Sequence, residues 1–130
     1  MSTSEEKYVT EPEYREKFFS EVLFYGGFLR NHYDKGNISY IPNHLHQVTD
    51  VKHTMEEPRV FVACASMPDE HGYMSLLSCS YEKELMQTCD RIILEINPNY
   101  PRIIGENPIH ISQVTCVVKT NHPVPTLPDK

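Results

Sequence analysis

The run Met67-Pro68-Asp69-Glu70-His71-Gly72-Tyr73 gathers two carboxylates, an imidazole and a conformationally permissive glycine in one short polar stretch. Those groups suffice to move protons and to hold a polar substrate. The same residues also make a structural turn, in which Asp69 caps the loop through its own side chain, Gly72 supplies a positive φ, and Glu70 and His71 face water. Position favours a site. The run follows, after Ser66, Val60-Phe61-Val62-Ala63-Cys64-Ala65, a nearly continuous apolar stretch of the kind that forms a parallel strand buried on both faces. Loops leaving the carboxyl ends of such strands line the ligand crevice of open α/β sheets. Met67, Asp69, Glu70, His71 and Gly72 are therefore candidate substrate-binding residues.

A second polar turn, Asn97-Pro98-Asn99-Tyr100-Pro101-Arg102, follows the apolar segment Ile92-Ile93-Leu94-Glu95-Ile96. Its prolines stiffen it, and Asn99 tolerates unusual backbone angles. Asn97 joins the substrate-binding candidates. Arg102 has two readings, a bidentate partner for a ligand carboxylate or phosphate and an ion pair holding the turn to its own domain. Gly26-Gly27 falls between a strand and a helix, where backbone N–H groups can hold a phosphate, although two glycines without a fuller motif also serve as a plain tight turn. His46, Asp50 and His53 share one face of a predicted helix, but a solvated face opposite Leu45 and Val48 accounts for them without an ion, with His44 pointing elsewhere. No metal is expected. His110, flanked by Ile109 and Ile111, reads as a hydrogen-bonded, partly buried histidine.

The elements that must place these groups alternate. A strand from about Phe19 runs into the glycine pair, a helix spans Phe28 to Lys35, and Gly36 ends it in the left-handed conformation. Ser39-Tyr40-Ile41 forms a short strand, and Asn43 is placed to cap the next helix. After the loop at 67–73 come a bridge to Leu77, a helix from Tyr81 to Cys89 capped by Ser80 with Leu85 and Met86 inward, the strand 92–96, and a last strand from about Gln113 to Lys119. Short connections in this order predict an α/β fold, a mostly parallel sheet with crossover helices. Residues 1–10 read as a loose lead-in, 11–120 as one domain, and 121–130, with three prolines in alternation, as an extended linker.

Composition narrows the function classes. The chain has 130 residues and a formal net charge of -6, with no Lys/Arg cluster, so nucleic-acid binding is not expected. No apolar run approaches the ~20 residues of a membrane span, and the polar start lacks the apolar core of a secretory signal. The expectation is a soluble, cytoplasmic protein. Cys64, Cys79, Cys89 and Cys116 form no Cys-x-x-Cys pair, which favours buried core thiols over zinc or redox chemistry.

Taken together and in order, Tyr25-Gly26-Gly27, Arg30, Asn37-Ile38-Ser39-Tyr40-Ile41-Pro42, the 68–73 run, the 97–102 turn, Gly105 and Ile109-His110 resemble the first half of the acetyl-CoA hydrolase/transferase family, which includes 4-hydroxybutyrate and butyrate CoA-transferases. The resemblance spans residues 12 to 128. It implies an amino-terminal CoA-transferase domain whose substrates are an acyl-CoA (acetyl, butyryl or 4-hydroxybutyryl) and a short carboxylic acid. It also implies that coenzyme A is bound as a substrate, and that a second domain carries a nucleophilic glutamate forming a glutamyl-CoA thioester. No segment here matches the motif for that glutamate, so neither Glu70 nor Glu95 is assigned the role. The resemblance therefore implies a chain inactive by itself, with its proline-rich end leading toward a missing catalytic domain. Met67 replaces the family's usual proline, Leu76-Leu77-Ser78-Cys79 is bulkier than the family pattern, and the glycine-rich amino-terminal segment is absent. A sheet edge left uncovered by that absence invites pairing with another copy, so a homo-oligomer stays open. Two alternatives remain beside the transferase: an acyl-CoA thioester hydrolase domain, and a non-catalytic binding or regulatory module of the same fold.

Overall fold

The computed structural model describes residues 7–48, 50, 60–77 and 82–124. They divide into two compact units, Met1–Val48 and Thr49–Lys130.

In the first unit, strand β1 (Ser20–Val22) pairs in parallel with β2 (Ile38–Tyr40), Ser20 opposite Ile38. Between them the chain makes helix α2 (Gly27–Arg30) and a 3-10 turn, Tyr33–Lys35. The predicted helix over 28–35 is thus split in two, and Gly36 ends the second piece at φ 77°. That left-handed angle is where a glycine is needed. Residues 7–10 of the expected lead-in form a helical turn. Helix α1 (Lys7–Thr10) buries Thr10, and the Asn37 side chain donates to the Glu11 carbonyl at 2.6 Å. Where a helix was expected, a 3-10 turn, Leu45–Gln47, comes first, and Val48 and Asp50 after it are α-helical. The Asn43 side chain donates back to the Ile41 carbonyl at 3.1 Å.

The second unit is built on a three-stranded parallel sheet, β3 (Val60–Ala65), β5 (Arg91–Ile96) and β7 (Cys116–Lys119), with β5 central. Helix α3 (Glu82–Thr88) lies in the crossover from β3 to β5. Beside this sheet, β4 (Tyr73–Ser75) and β6 (Pro108–His110) form an antiparallel pair. The core follows from strand alternation. Phe61, Ala65, Leu94 and Ile96 from one sheet face meet Leu85 and Met86 of α3, Met74 and Leu76 after the loop, and Ile109 of β6.

The opposite sheet face is only partly covered, with Cys64, Ile93 and Glu95 half-buried near Tyr100. Val62 is 68% exposed, Val60 and Val118 are 48% exposed, and Cys116 is exposed as well. A strand buried on both faces and a buried Cys116 thiol were therefore wrong expectations. The reason is physical: an apolar run marks a strand, but only a second covering layer buries its other face. Ser80, His53 and Cys79 lie outside the described residues. Among the described residues no helix is long and apolar enough to cross a membrane.

Candidate functional site

The loop after β3 is held from within. Asp69 Oδ1 accepts from the His71 N–H at 3.0 Å and the Tyr73 N–H at 2.8 Å. The Asp69 N–H bonds the Tyr73 carbonyl, and the Gly72 N–H bonds the Asp69 carbonyl. Gly72 sits at φ 81°, and a Cβ there would lie 3.0 Å from His110 Nε2. Both facts demand glycine. The Tyr73 N–H foremost, then the His71 N–H and the Arg102 guanidinium, hold the Asp69 carboxyl below its ordinary range.

Beneath the loop lies His110, whose place here the sequence reading missed. Its Nε2 is 3.2 Å from the His71 carbonyl, and its Nδ1 is 3.2 Å from the Ser112 N–H. Those partners fit the tautomer with the proton on Nε2, donating to His71 and accepting from Ser112. Gln113 closes the arrangement by accepting the His110 N–H at 3.0 Å. The period-2 pattern Pro108-Ile109-His110 places Ile109 inward and His110 toward the loop, which is the only trace of this role in the sequence.

The turn after β5 meets the same edge, because β3 and β5 are parallel neighbours ending together at Ala65 and Ile96. Arg102 crosses to the first loop, pairing Nη2 with Asp69 Oδ2 at 2.7 Å and donating Nη1 to the Tyr73 carbonyl at 3.1 Å. This is the bracing geometry of its two readings. Asn97 is fully buried, donating Nδ2 to the His122 carbonyl and accepting the Asn99 N–H, both at 2.9 Å. Met67 packs against the core. Of the candidates at this edge, Glu70 and His71 are the pair left facing outward. Their side chains are 85% and 75% exposed and 3.4 Å apart.

A second cluster lies close by. Glu95 Oε1 accepts from Tyr100 at 3.0 Å and Thr120 at 2.9 Å, and pairs with His122 Nε2 at 2.8 Å. His122 first, then Thr120 and Tyr100, lower the Glu95 carboxyl. Burial, with Cys64 and Glu95 beside it, raises the Tyr100 hydroxyl. With Asn97 and Asn99 both donating to the His122 carbonyl, the 97–102 turn clamps residues 120–122 onto the sheet end.

In the first unit, Gly26 and Gly27 are exposed, and the Gly26 N–H is committed to the Phe24 carbonyl at 3.2 Å. His44 and His46 stack at 5.6 Å and 11°, since His44 precedes the 3-10 turn and so is not splayed around a helix. Among the described residues no group of His, Cys, Asp and Glu is arranged to hold a metal ion.

The edge therefore combines a braced loop with an outward Glu-His pair. Such a pair can bind a carboxylate or relay a proton. In open water it is a weak catalyst, because solvated groups gain little from preorganised fields.

Comparison with known proteins extends this picture. The family model described as acetyl-CoA hydrolase/transferase N-terminal domain matches residues 2–128. The 4-hydroxybutyrate coenzyme A transferase of Clostridium kluyveri is 32% identical over 112 residues, 82% of this chain and 25% of that protein. Succinyl-CoA:cyclohexane-1-carboxylate CoA transferase of Geobacter metallireducens is 31% identical over 94 residues, 72% of this chain and 22% of that one. RipA from Yersinia pestis superposes with a TM-score of 0.85 at 25% identity, over 94% of this chain and 30% of its own. The chain thus spans about a quarter of the length of the curated relatives it matches.

Proposed function

Because the chain belongs to the acetyl-CoA hydrolase/transferase family, matching its amino-terminal domain over residues 2–128, we propose that it forms one wall of a CoA-transferase active site. The opposing wall is a second domain carrying the nucleophilic glutamate. In the reaction inferred, that carboxylate attacks the thioester carbonyl of an acyl-CoA and expels the CoA thiolate, leaving a mixed anhydride. The thiolate then attacks the glutamyl carbonyl of the anhydride, releasing the first acid and forming glutamyl-CoA. An acceptor carboxylate reverses the two steps and leaves with CoA.

The observation that carries the reading is the contrast inside the 67–73 loop. Asp69, Gly72 and Arg102 are committed to holding it, while Glu70 and His71 project from it. His71 is proposed to bind the carboxylate of the donor or acceptor acid, and Glu70 to set its orientation. Covering by a second domain removes the water that weakens such contacts. Met67, between this loop and the core, borders the acyl pocket in this proposal.

The test replaces the matched segment of the Clostridium kluyveri transferase with this chain and follows CoA passing from acetyl-CoA to butyrate. The expected result is transfer that falls at least tenfold in His71→Ala with unchanged thermal stability. Full activity in that variant would remove His71 from the site. Acyl-CoA consumed at the same rate without butyrate would identify a hydrolase instead.

A further inference from the structure

The first unit holds a cleft that the transferase reading does not use. Tyr25, Arg30, Tyr33, Ile38, Ser39 and Tyr40 line about 460 Å³ of space. Tyr25 and Tyr40 stack with ring centroids 5.2 Å apart at 17°, and Tyr33 meets Tyr25 edge-on at 6.1 Å. Packing alone would hide these rings, yet Tyr33 is 61% and Tyr40 41% exposed.

Arg30 stands beside the stack, its guanidinium carbon 6.0 Å from the Tyr25 ring centroid. Its Nε donates to the Tyr25 carbonyl at 3.1 Å, which fixes the plane of the group. Its two Nη groups have no hydrogen bond or ion pair among the described residues. Three features therefore coincide in the lining: the stacked Tyr25 and Tyr40 rings, the Arg30 guanidinium beside them, and Ser39.

We propose that this cleft binds a nucleoside phosphate, its base lying against the Tyr25–Tyr40 wall and its phosphate on Arg30. Stacking of a base on an aromatic ring contributes about 1–3 kcal/mol. A phosphate suits the planar, always charged guanidinium better than any other common anion except carboxylate. The source is either the nucleotide end of coenzyme A or a free nucleotide. The proposal rests on the cleft's own chemistry and is independent of the transferase reading, since a nucleoside phosphate has no thioester to react.

The experiment titrates the 130-residue chain with adenosine 3′,5′-bisphosphate, followed by amide chemical shifts. Parallel titrations use adenosine, inorganic phosphate, pantetheine, AMP and coenzyme A. The expected result is saturable shifts centred on Tyr25, Arg30 and Tyr40, with adenosine and inorganic phosphate each at least tenfold weaker and pantetheine silent. Arg30→Ala should weaken the bisphosphate at least tenfold, with Arg30→Lys retaining part of the affinity and both variants checked for folding by the same spectra. Coenzyme A binding more tightly than AMP assigns the site to the coenzyme's nucleotide end, and equal binding assigns it to free nucleotides; either supports the proposal. Inorganic phosphate binding as well as the bisphosphate, shifts centred away from the cleft, or no shifts at all would overturn it. Nucleotide binding would survive a failure of CoA transfer, so the two readings fail separately.

Discussion

Single residues at the strand-end loop divide into those that hold and those that project, and the division follows from local chemistry. Gly72 is fixed twice, by φ 81° and by the nearness of His110. Gly72→Ala should therefore lower stability by about 1–3 kcal/mol, measured by thermal or urea unfolding. An unchanged midpoint would mean that the loop relaxes freely. Asp69 carries a lowered carboxyl, so its contribution is present above the ordinary value of 3.8 and fades as pH falls through the lower folded value. Legibility at this scale was uneven. The sequence named Asp69 and Gly72 as substrate-binding candidates with a turn role as the alternative, and the turn bonds are present, because the His71 and Tyr73 N–H groups that Asp69 Oδ1 accepts lie within four residues of it. Asn97 and Arg102 look alike as polar turn residues, but their partners, His122, Tyr73 and Asp69, are far away in the chain. Only the tertiary fold brings those together.

Elements were easier to read where an apolar run was long and harder where covering layers decide. Strands β3 and β5 were legible as strands, while the partly covered outer face of β3 was not. Leu94 and Val62 give a direct contrast. Leu94 lies wholly within the core and Val62 is exposed, so Leu94→Ala should cost about 2–5 kcal/mol and Val62→Lys less than about 0.5 kcal/mol in the isolated chain. A large loss for Val62→Lys would show that the face is covered in solution. The clamp on residues 120–122 is a second prediction at this scale. Asn97→Ala removes a buried donor and acceptor together, for a loss of about 1–3 kcal/mol. The Glu95–His122 pair adds a pH signature. Ionised Glu95 is favoured in the fold, so its contribution is present above the ordinary 4.5 and is lost as pH falls through its lower folded value. Protonated His122 is favoured by the Pro123 carbonyl and then by Glu95, so its contribution is complete below the ordinary 6.5 and is lost as pH rises through its higher folded value. Thermal stability should thus decline on the alkaline side of about 6.5 in the native chain, and that decline should flatten in His122→Ala. An identical profile in the variant would exclude the pair as its cause.

For the molecule as a whole, ordered motifs spread along the chain pointed to the family, and the match over residues 2–128 agrees. The fold class was equally legible, since strands alternating with short crossovers leave few topologies. Among the described residues, the strand-end edge is not a dry site. A carboxylate nucleophile needs desolvation and aimed donors, and the Glu70–His71 pair faces solvent. The account therefore holds that chemistry begins only when a second domain meets the 67–73 loop.

The most direct measurement is CoA transfer from acetyl-CoA to butyrate by the isolated chain, beside the same chain joined to the remainder of the Clostridium kluyveri relative. The account predicts no turnover by the chain alone and transfer by the joined protein. Turnover by the isolated chain that disappears in Glu70→Gln or His71→Ala would contradict it, and would place the complete catalytic machinery within these 130 residues.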